Sequence, residues 1–201
     1  MAGDRKERIL DAALTLFARN GYTGTSMSDI AQSLGITKAA LYKHYSGKQE
    51  ILFRILRKME DADANRARAY DMPEENPVQG IEFPGKFLGK IGEYSKLQFR
   101  YWTTESFPSA FRRMLTLEQY RDPEFERLYS QYLSDGPVLY MAAIFRNMVG
   151  SAEEGMQLAL SFYGPMYLLY GMYDSVENKE GVLSMLDAHI DCFLKRLEMK
   201  L

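Results

Sequence analysis

Residues 25–50, TSMSDIAQSLGITKAALYKHYSGKQE, contain three signals for the start of a helix in close succession. Ser26 with Asp29 has the spacing of a capping box, in which a hydroxyl and a carboxylate satisfy the free N–H groups at a helix start. Thr37 is a candidate N-cap for a second helix. Ser46 with Gln49 repeats the capping-box spacing and predicts a third start.

Between the first two starts, Leu34-Gly35-Ile36 predicts a helix end, because glycine is favoured just after a helix and an apolar residue then returns to the core. Two helices, about Met27–Leu34 and Lys38–Tyr45, are therefore joined by a turn of about three residues, which is the helix-turn-helix layout. The second helix buries Leu41 and Tyr45. Its other side carries short or cationic side chains suited to a groove, namely Lys38, Ala39, Tyr42 and Lys43.

The wider segment Asn20–Leu52 resembles the DNA-binding domain of the TetR family of bacterial transcriptional regulators, over roughly the first quarter of the chain. Tyr45 is a departure, since phenylalanine is commoner there, but it keeps the apolar ring. The matching residues are Gly21-Tyr22, Thr25-Ser26, Ile30-Ala31, Leu34-Gly35-Ile36, Leu41-Tyr42, Tyr45 and Lys48.

This resemblance implies a regulator, most simply a repressor, that binds a palindromic operator as a homodimer and is released by a small effector. The candidates for contacts with base edges are Lys38, Ala39, Ala40 and Lys43, because lysine donates to guanine and alanine methyls contact thymine methyls. The candidates for phosphate contacts are Thr25, Ser26, Ser28, Tyr42, His44 and Lys48. In the family, positions matching Tyr42 and Lys48 commonly touch phosphate.

Charge is unevenly distributed along the chain. Residues 1–70 hold 12 Lys and Arg against 8 Asp and Glu, a net charge of +4, whereas residues 71–201 hold 13 against 19, a net charge of −6. This asymmetry fits a basic DNA-binding part on an acidic body, although ordinary scatter of surface charge would also produce it. The basic cluster Arg5, Lys6 and Arg8 is equally compatible with phosphate contacts and with a solvated helix end.

Helical periodicity continues through the rest of the chain, without strand-like alternation, and predicts an all-α protein of about nine helices. The first helix, Asp4–Asn20, carries an apolar stripe of Ile9, Ala12, Ala13, Leu16 and Phe17. We expect a helix-turn-helix DNA-binding domain at residues 1–46 and a ligand-binding and dimerisation domain at residues 47–201, joined by a connecting helix at about residues 46–70. The segment Met72–Gly85, with three prolines and two glycines, predicts a loop.

The predicted helix Ser151–Tyr173 is apolar nearly all round, with Gly164-Pro165 as a predicted kink. A helix without a polar face is buried on both sides, so one side can face a second subunit. The last helix offers a comparable stripe, and two such helices per chain would build a four-helix dimer interface, as in TetR-like proteins. The stripe consists of Leu183, Leu186, Ile190, Phe193, Leu194 and Leu197.

The sequence contains no recognisable catalytic motif, so we expect no enzyme, no catalytic residues, no metal and no cofactor. His189 is best interpreted as a hydrogen-bonded interface histidine, and Cys192, the only cysteine, as a small buried or boundary thiol. No stretch predicts a membrane span or a signal peptide, which favours a soluble, cytoplasmic protein.

Residues 71–201 contain 20 of the 26 aromatic residues and 9 of the 12 methionines. A helical core uses such residues in any case, but together they also suit a cavity for a small apolar or aromatic effector. The acidic body favours a neutral or cationic effector. The candidate ligand-binding residues are Tyr94, Trp102, Tyr163 and Tyr167. Two alternatives remain: a helical enzyme that uses this aromatic pocket as its active site, and an adaptor whose helix-turn-helix is only a packing unit.

Overall fold

The computed structural model describes residues 2–73 and 86–201, and every regular element in these two ranges is an α-helix. The all-α prediction is confirmed. None of the described helices is long and apolar enough to cross a membrane. The described ranges hold ten helices, in chain order α1 (Ala2–Asn20), α2 (Met27–Ser33), α3 (Lys38–Tyr42), α4 (Lys48–Ala69), α5 (Lys86–Thr104), α6 (Ser106–Glu118), α7 (Pro123–Leu133), α8 (Asp135–Val149), α9 (Ala152–Ser175) and α10 (Lys179–Glu198).

The chain divides into two compact units that do not follow the order of the sequence. Unit 1 consists of Met1–Asn65 and Glu105–Tyr129, and unit 2 of Arg66–Thr104 and Ser130–Leu201. Helices α4 and α7 therefore contribute residues to both units. The division at residue 46 expected from the sequence concerns function and stays a prediction. The expected loop at Met72–Gly85 lies, from residue 74 onward, outside the described residues.

The core of unit 1 forms between α1 and α6, which pack against each other. Ile9, Ala13 and Phe17 of the predicted stripe are buried, but so are Leu10 and Leu14, whereas Ala12 and Leu16 stay partly exposed. The buried face of α1 therefore packs against a helix from later in the chain. Helix α6 supplies that neighbour through three buried side chains, Phe111, Met114 and Leu115.

Local capping residues fix the two helices of the helix-turn-helix. The Ser26 hydroxyl accepts from the Asp29 N–H, and the Asp29 carboxylate accepts from the Ser26 N–H at 2.8 Å, which confirms the capping box. The Thr37 hydroxyl accepts from the Ala40 N–H at 3.1 Å, as expected for an N-cap. Gly35 has a φ of +64°, a backbone conformation that glycine adopts at little cost, and it ends α2.

Two details of the predicted motif are corrected by the structure. Helix α3 ends at Tyr42, three residues earlier than expected, because the N–H groups of His44 and Tyr45 both return to the Leu41 carbonyl. The side chain that pairs with Ser46 is that of Glu50, and not that of Gln49 as expected. Glu50 Oε2 accepts from the Ser46 N–H at 2.7 Å and from the Ser46 hydroxyl at 2.8 Å.

Unit 2 is built on the close packing of α8 and α9. A Cβ atom added at Gly155 would lie 2.7 Å from the backbone nitrogen of Arg146, so only glycine permits this approach. Helix α9 runs through Pro165 without ending. Helix α5 is tied to α10 by an ion pair of 2.7 Å between Arg100 and Asp187.

Candidate nucleic-acid interface

Helices α2 and α3 present a polar face to solvent. The side chains of Lys38, Ala39 and Lys43 are exposed, and that of Tyr42 is 46% exposed. Ser28 of α2 is also exposed. Because Leu41 is fully buried on the opposite side of α3, this short helix is anchored by one face while the other faces solvent. A helix with this exposure pattern and two exposed lysines suits a major groove.

The remaining candidates on the motif have more restricted surroundings. Ser26 is exposed, but its hydroxyl is engaged with Asp29 in the capping box. Ala40 and His44 are partly exposed. The basic cluster at the start of α1, namely Arg5, Lys6 and Arg8, is exposed.

Thr25 and Lys48, both predicted to touch phosphate, donate hydrogen bonds to backbone carbonyls of the protein. Thr25 is only 1% exposed, and its hydroxyl donates to the Gly21 carbonyl at 2.8 Å. Thr25 therefore shapes the turn before α2 and does not present its hydroxyl to a nucleic acid. The Lys48 ammonium donates to the carbonyls of Tyr22 at 2.6 Å and Thr25 at 2.8 Å.

The Lys48 ammonium also lies 4.3 Å from the centroid of the Tyr22 ring, a cation–π distance. Burial lowers the pKa of Lys48 from its ordinary 10.5, and the negative charge of Glu118 opposes this decrease. The lysine thus binds two carbonyls of the turn between α1 and α2.

Tyr45, the departure from the family pattern, has a structural role. Its ring is 4% exposed, and its hydroxyl donates to the Lys6 carbonyl of α1 at 3.3 Å. Burial raises the pKa of Tyr45 above its ordinary 10.0. The hydroxyl that phenylalanine lacks thus adds a hydrogen bond between α1 and the end of the helix-turn-helix.

The four candidate ligand-binding residues lie in unit 2. Tyr163 and Tyr167 are neighbours, with ring centroids 6.5 Å apart, yet Tyr167 is 46% exposed while Tyr163 is buried. The Tyr163 hydroxyl donates to the Leu133 carbonyl at 2.9 Å. Trp102 is buried, with its ring centroid 6.0 Å from that of Tyr132.

Tyr94 packs near other tyrosines of unit 2. Its ring centroid lies 6.0 Å from that of Tyr70, and Tyr140 is a further neighbour. The Tyr140 hydroxyl donates to the Pro73 carbonyl at 2.9 Å, and burial raises the pKa of Tyr140 far above its ordinary 10.0. Sequence reasoning overlooked Tyr132 and Tyr140, since a tyrosine on a helix carries no local signal of the partner that it meets.

A second exposed surface lies on α9, and we call it the α9 apolar face. It consists of Leu160, Gly164, Tyr167, Leu168 and Gly171, which recur at helical spacing on one side of the helix. Leu160 is 48% exposed and Leu168 is 64% exposed, and a Cβ atom added at either glycine would meet open space. A soluble helix rarely leaves such a strip uncovered.

The predicted stripe of α10 packs inside the chain. Phe193 lies with its ring centroid 5.0 Å from that of Phe162 and 5.7 Å from that of Phe145. His189 is hydrogen-bonded as expected, through Nε2 to the Phe162 carbonyl at 2.8 Å, but this contact is within the chain. Cys192 is exposed, which corrects the expectation of a buried or boundary thiol.

Comparison with known proteins gives local matches at the level of sequence, in the N-terminal segment. Residues 9–55 match the family model of the bacterial regulatory proteins of the tetR family. The biofilm operon icaADBC HTH-type negative transcriptional regulator IcaR of Staphylococcus epidermidis is 52% identical over 46 residues, which are 23% of this chain and 25% of that protein. The match therefore spans about a quarter of this relative.

Solved structures match over nearly the whole chain. A TetR-family transcriptional regulator from Bordetella parapertussis has a TM-score of 0.65 and 18% identity, covering 94% of this chain and 93% of its own. A regulator from Saccharomonospora viridis, solved in complex with choline, has a TM-score of 0.65 and 19% identity, covering 96% of both chains. At these identities the likeness concerns the fold.

The fold and the exposed face of α2 and α3 define an all-α protein of the helix-turn-helix class. Its N-terminal segment, residues 9–55, matches the tetR family of bacterial regulatory proteins, and its fold is that of solved TetR-family regulators.

Proposed function

We propose that the protein is a transcriptional repressor that binds a palindromic DNA operator as a homodimer and is released by a small effector. The observation that carries the proposal is the face of α2 and α3, where Lys38 and Lys43 are exposed while Leu41 anchors the helix. The strong local similarity to IcaR, a negative transcriptional regulator, supports the repressor role.

In this proposal the exposed residues of α3 contact base edges, and polar residues around them contact phosphates. Lys38, Ala39, Ala40 and Lys43 retain their role as base-edge candidates. The phosphate candidates remain Ser26, Ser28, Tyr42 and His44. Lys48, at the start of α4, is a further phosphate candidate.

The homodimer is supported by the α9 apolar face. In a two-fold symmetric dimer the same patch of both subunits can pack together, so the α9 apolar face of one copy would cover that of the other. Two α3 helices brought together in this way would enter successive major grooves about one DNA turn apart.

The effector is proposed to bind among the aromatic side chains of unit 2, with Tyr94, Trp102, Tyr163 and Tyr167 as candidates. The choline-bound structure from Saccharomonospora viridis supports a small ligand in this fold. The −6 charge of residues 71–201 favours a neutral or cationic apolar or aromatic molecule over an anion.

The DNA-binding proposal is tested with duplexes selected by the protein from a randomised pool. If each subunit neutralises about four phosphates, the slope of log affinity against log salt is close to about −7 for the dimer. The double substitution Lys38→Glu and Lys43→Glu is expected to lower affinity at least about 10-fold while helicity is retained.

The matched control is the double substitution Arg113→Glu and Arg127→Glu. Both arginines are exposed residues of unit 1, on α6 and α7, so this variant has the same change in net charge. It should keep most of the affinity. Equal losses in both double variants, or binding that is indifferent to salt, would contradict the proposed interface.

A further inference from the structure

Glu118, the last residue of α6, is a carboxylate fully buried in unit 1. Its Oε1 atom accepts from the Tyr22 N–H at 3.1 Å and from the Arg121 guanidinium at 3.0 Å. Its Oε2 atom has no hydrogen-bond partner among the described residues. A buried carboxylate is costly unless it is partnered, and a buried ion pair is weak evidence of a contribution to stability.

The turn between α1 and α2 is shaped to receive this carboxylate. Gly21 has a φ of +80°, and a Cβ atom added there would lie 2.3 Å from Glu118 Oε1. The next residue, Tyr22, places its ring 5.1 Å from that of Phe17 on α1 and 5.2 Å from that of Phe125 on α7. The turn is therefore held between three helices of unit 1, and glycine is required where it meets Glu118.

Both backbone polar groups of Tyr22 are tied to charged side chains. Glu118 accepts from its N–H, while Lys48, at the start of α4, donates to its carbonyl at 2.6 Å and to the Thr25 carbonyl at 2.8 Å. Thr25 immediately precedes Ser26, the N-cap of α2. The chain of bonds from Glu118 through Tyr22 and Lys48 thus fixes the point at which α2 begins.

We propose that Glu118 is a positioning residue for DNA recognition, which acts through Tyr22 and Lys48 to hold the start of α2 where α2 and α3 can dock on the operator. This inference rests on the proposed DNA-binding function. It assigns to α6, a helix more than fifty residues beyond the family match, a direct part in the geometry of the DNA-binding face. Glu118 itself touches no DNA in this proposal.

The test compares Glu118→Ala with Glu118→Gln. The alanine variant leaves the Tyr22 N–H without its acceptor, whereas the glutamine amide oxygen can still accept from it. Affinity for a duplex selected by the wild-type protein should fall about 10-fold in Glu118→Ala. Glu118→Gln should recover most of this loss. The salt slope should stay unchanged in both variants, because the phosphate contacts are the same in number.

Met114→Ala is the matched structural control, since Met114 is also fully buried on α6 but offers no hydrogen bond to the turn. It should lower the melting temperature and leave the affinity of the folded protein unchanged. Gly21→Ala tests the contact from the other side. It should weaken binding as well, and its effect should be less than additive with Glu118→Ala, because both changes act on one contact.

Amide hydrogen exchange of the free protein separates this inference from the proposed function. Glu118→Ala should accelerate exchange at Tyr22 and Thr25, and Glu118→Gln should restore protection. If exchange responds in this way but the wild-type protein selects no duplex, Glu118 does position the turn between α1 and α2, and the proposed DNA-binding function is wrong. Unchanged exchange, unchanged affinity in Glu118→Ala, or an equal loss of affinity in Met114→Ala would overturn the positioning role.

Discussion

Asp29 and Glu50 are solvated carboxylates, and each receives two hydrogen bonds from the serine that precedes its helix. Hydrogen bonds from the Ser26 side chain and backbone hold the pKa of Asp29 below its ordinary 3.8. Hydrogen bonds from the Ser46 backbone and side chain hold the pKa of Glu50 below its ordinary 4.5. Folding therefore favours the ionised form of both groups.

These pKa shifts predict a loss of stability in acid. A lowered folded pKa contributes stability that is present above the ordinary pKa and is lost as pH falls through the folded pKa. The combined substitution of Ser26→Ala and Ser46→Ala should therefore reduce the free energy of unfolding at about pH 7 by more than at about pH 3. Urea unfolding followed by circular dichroism measures this difference.

Ser33→Ala is the control for this experiment. Its hydroxyl donates to the Ile30 carbonyl at 2.8 Å, a group that does not titrate, so its cost should be the same at both pH values. A cost of the double variant that is equally independent of pH would show that the two carboxylates keep ordinary pKa values in the folded protein.

At the scale of single residues, sequence reasoning succeeded where the partner is close along the chain. Ser26 and Thr37 cap helices whose N–H groups lie three residues away, and this spacing is visible in the sequence. The partners of Lys48 could not be predicted for the opposite reason. The carbonyls that Lys48 binds lie 26 and 23 residues away, and the carboxylate beneath Tyr22 lies 96 residues away, so no local pattern reports them.

At the scale of elements, the α9 apolar face predicts a specific effect on assembly. Leu168 is 64% exposed, so Leu168→Glu should leave the fold of the single chain intact. In a dimer that covers this face, the same change would bury two unpaired carboxylates near the two-fold axis. We therefore expect monomers by light scattering and a loss of operator binding at concentrations where the wild-type protein is dimeric.

Leu117→Glu provides the comparison, because Leu117 is an exposed leucine of α6 in unit 1, 42% exposed. This variant should stay dimeric. If Leu168→Glu also stays dimeric, the α9 apolar face is not the interface. The better-buried Phe193 is unsuitable for this experiment, since it packs against Phe162 and its replacement would damage the chain itself.

Periodicity predicted the existence and type of nearly every helix, because an amphipathic pattern follows from burying one side. It could not say what covers that side. Helix α6 lies within residues 47–201, the predicted ligand-binding and dimerisation domain, and it packs on α1 in the core of unit 1. In the same way, the stripe of α10 pointed to a dimer interface, but its phenylalanine is used by the chain's own α8 and α9.

At the scale of the whole molecule, the two halves of the chain have opposite net charges, +4 for residues 1–70 and −6 for residues 71–201. The basic half attracts DNA at long range, and the acidic half repels it, which favours approach of the duplex to α2 and α3. Unit 2, residues 66–104 and 130–201, holds 11 Lys and Arg against 14 Asp and Glu, and this net charge of −3 attracts cations. The charge distribution thus favours DNA at the N-terminal part of the chain and a cationic effector at unit 2.

Regulation by an effector predicts a reciprocal change in two affinities. Trp102 is the only tryptophan and is 3% exposed in unit 2, so its fluorescence is expected to report a ligand that binds among the neighbouring aromatic rings. A ligand found by screening neutral and cationic aromatic compounds for this signal should weaken operator binding by about 5- to 150-fold, as is typical of coupling between two sites.

By linkage, saturating operator DNA must weaken binding of that ligand by the same factor that the ligand weakens binding of DNA. Two titrations check this, one of the operator with and without ligand, and one of Trp102 fluorescence with and without operator. The Lys38→Glu and Lys43→Glu variant is the control, because it should keep the ligand affinity of the free protein but lose the effect of DNA on it. A ligand that saturates the protein and leaves operator affinity unchanged would refute effector release, while the proposal that α2 and α3 bind DNA would stand on its own test.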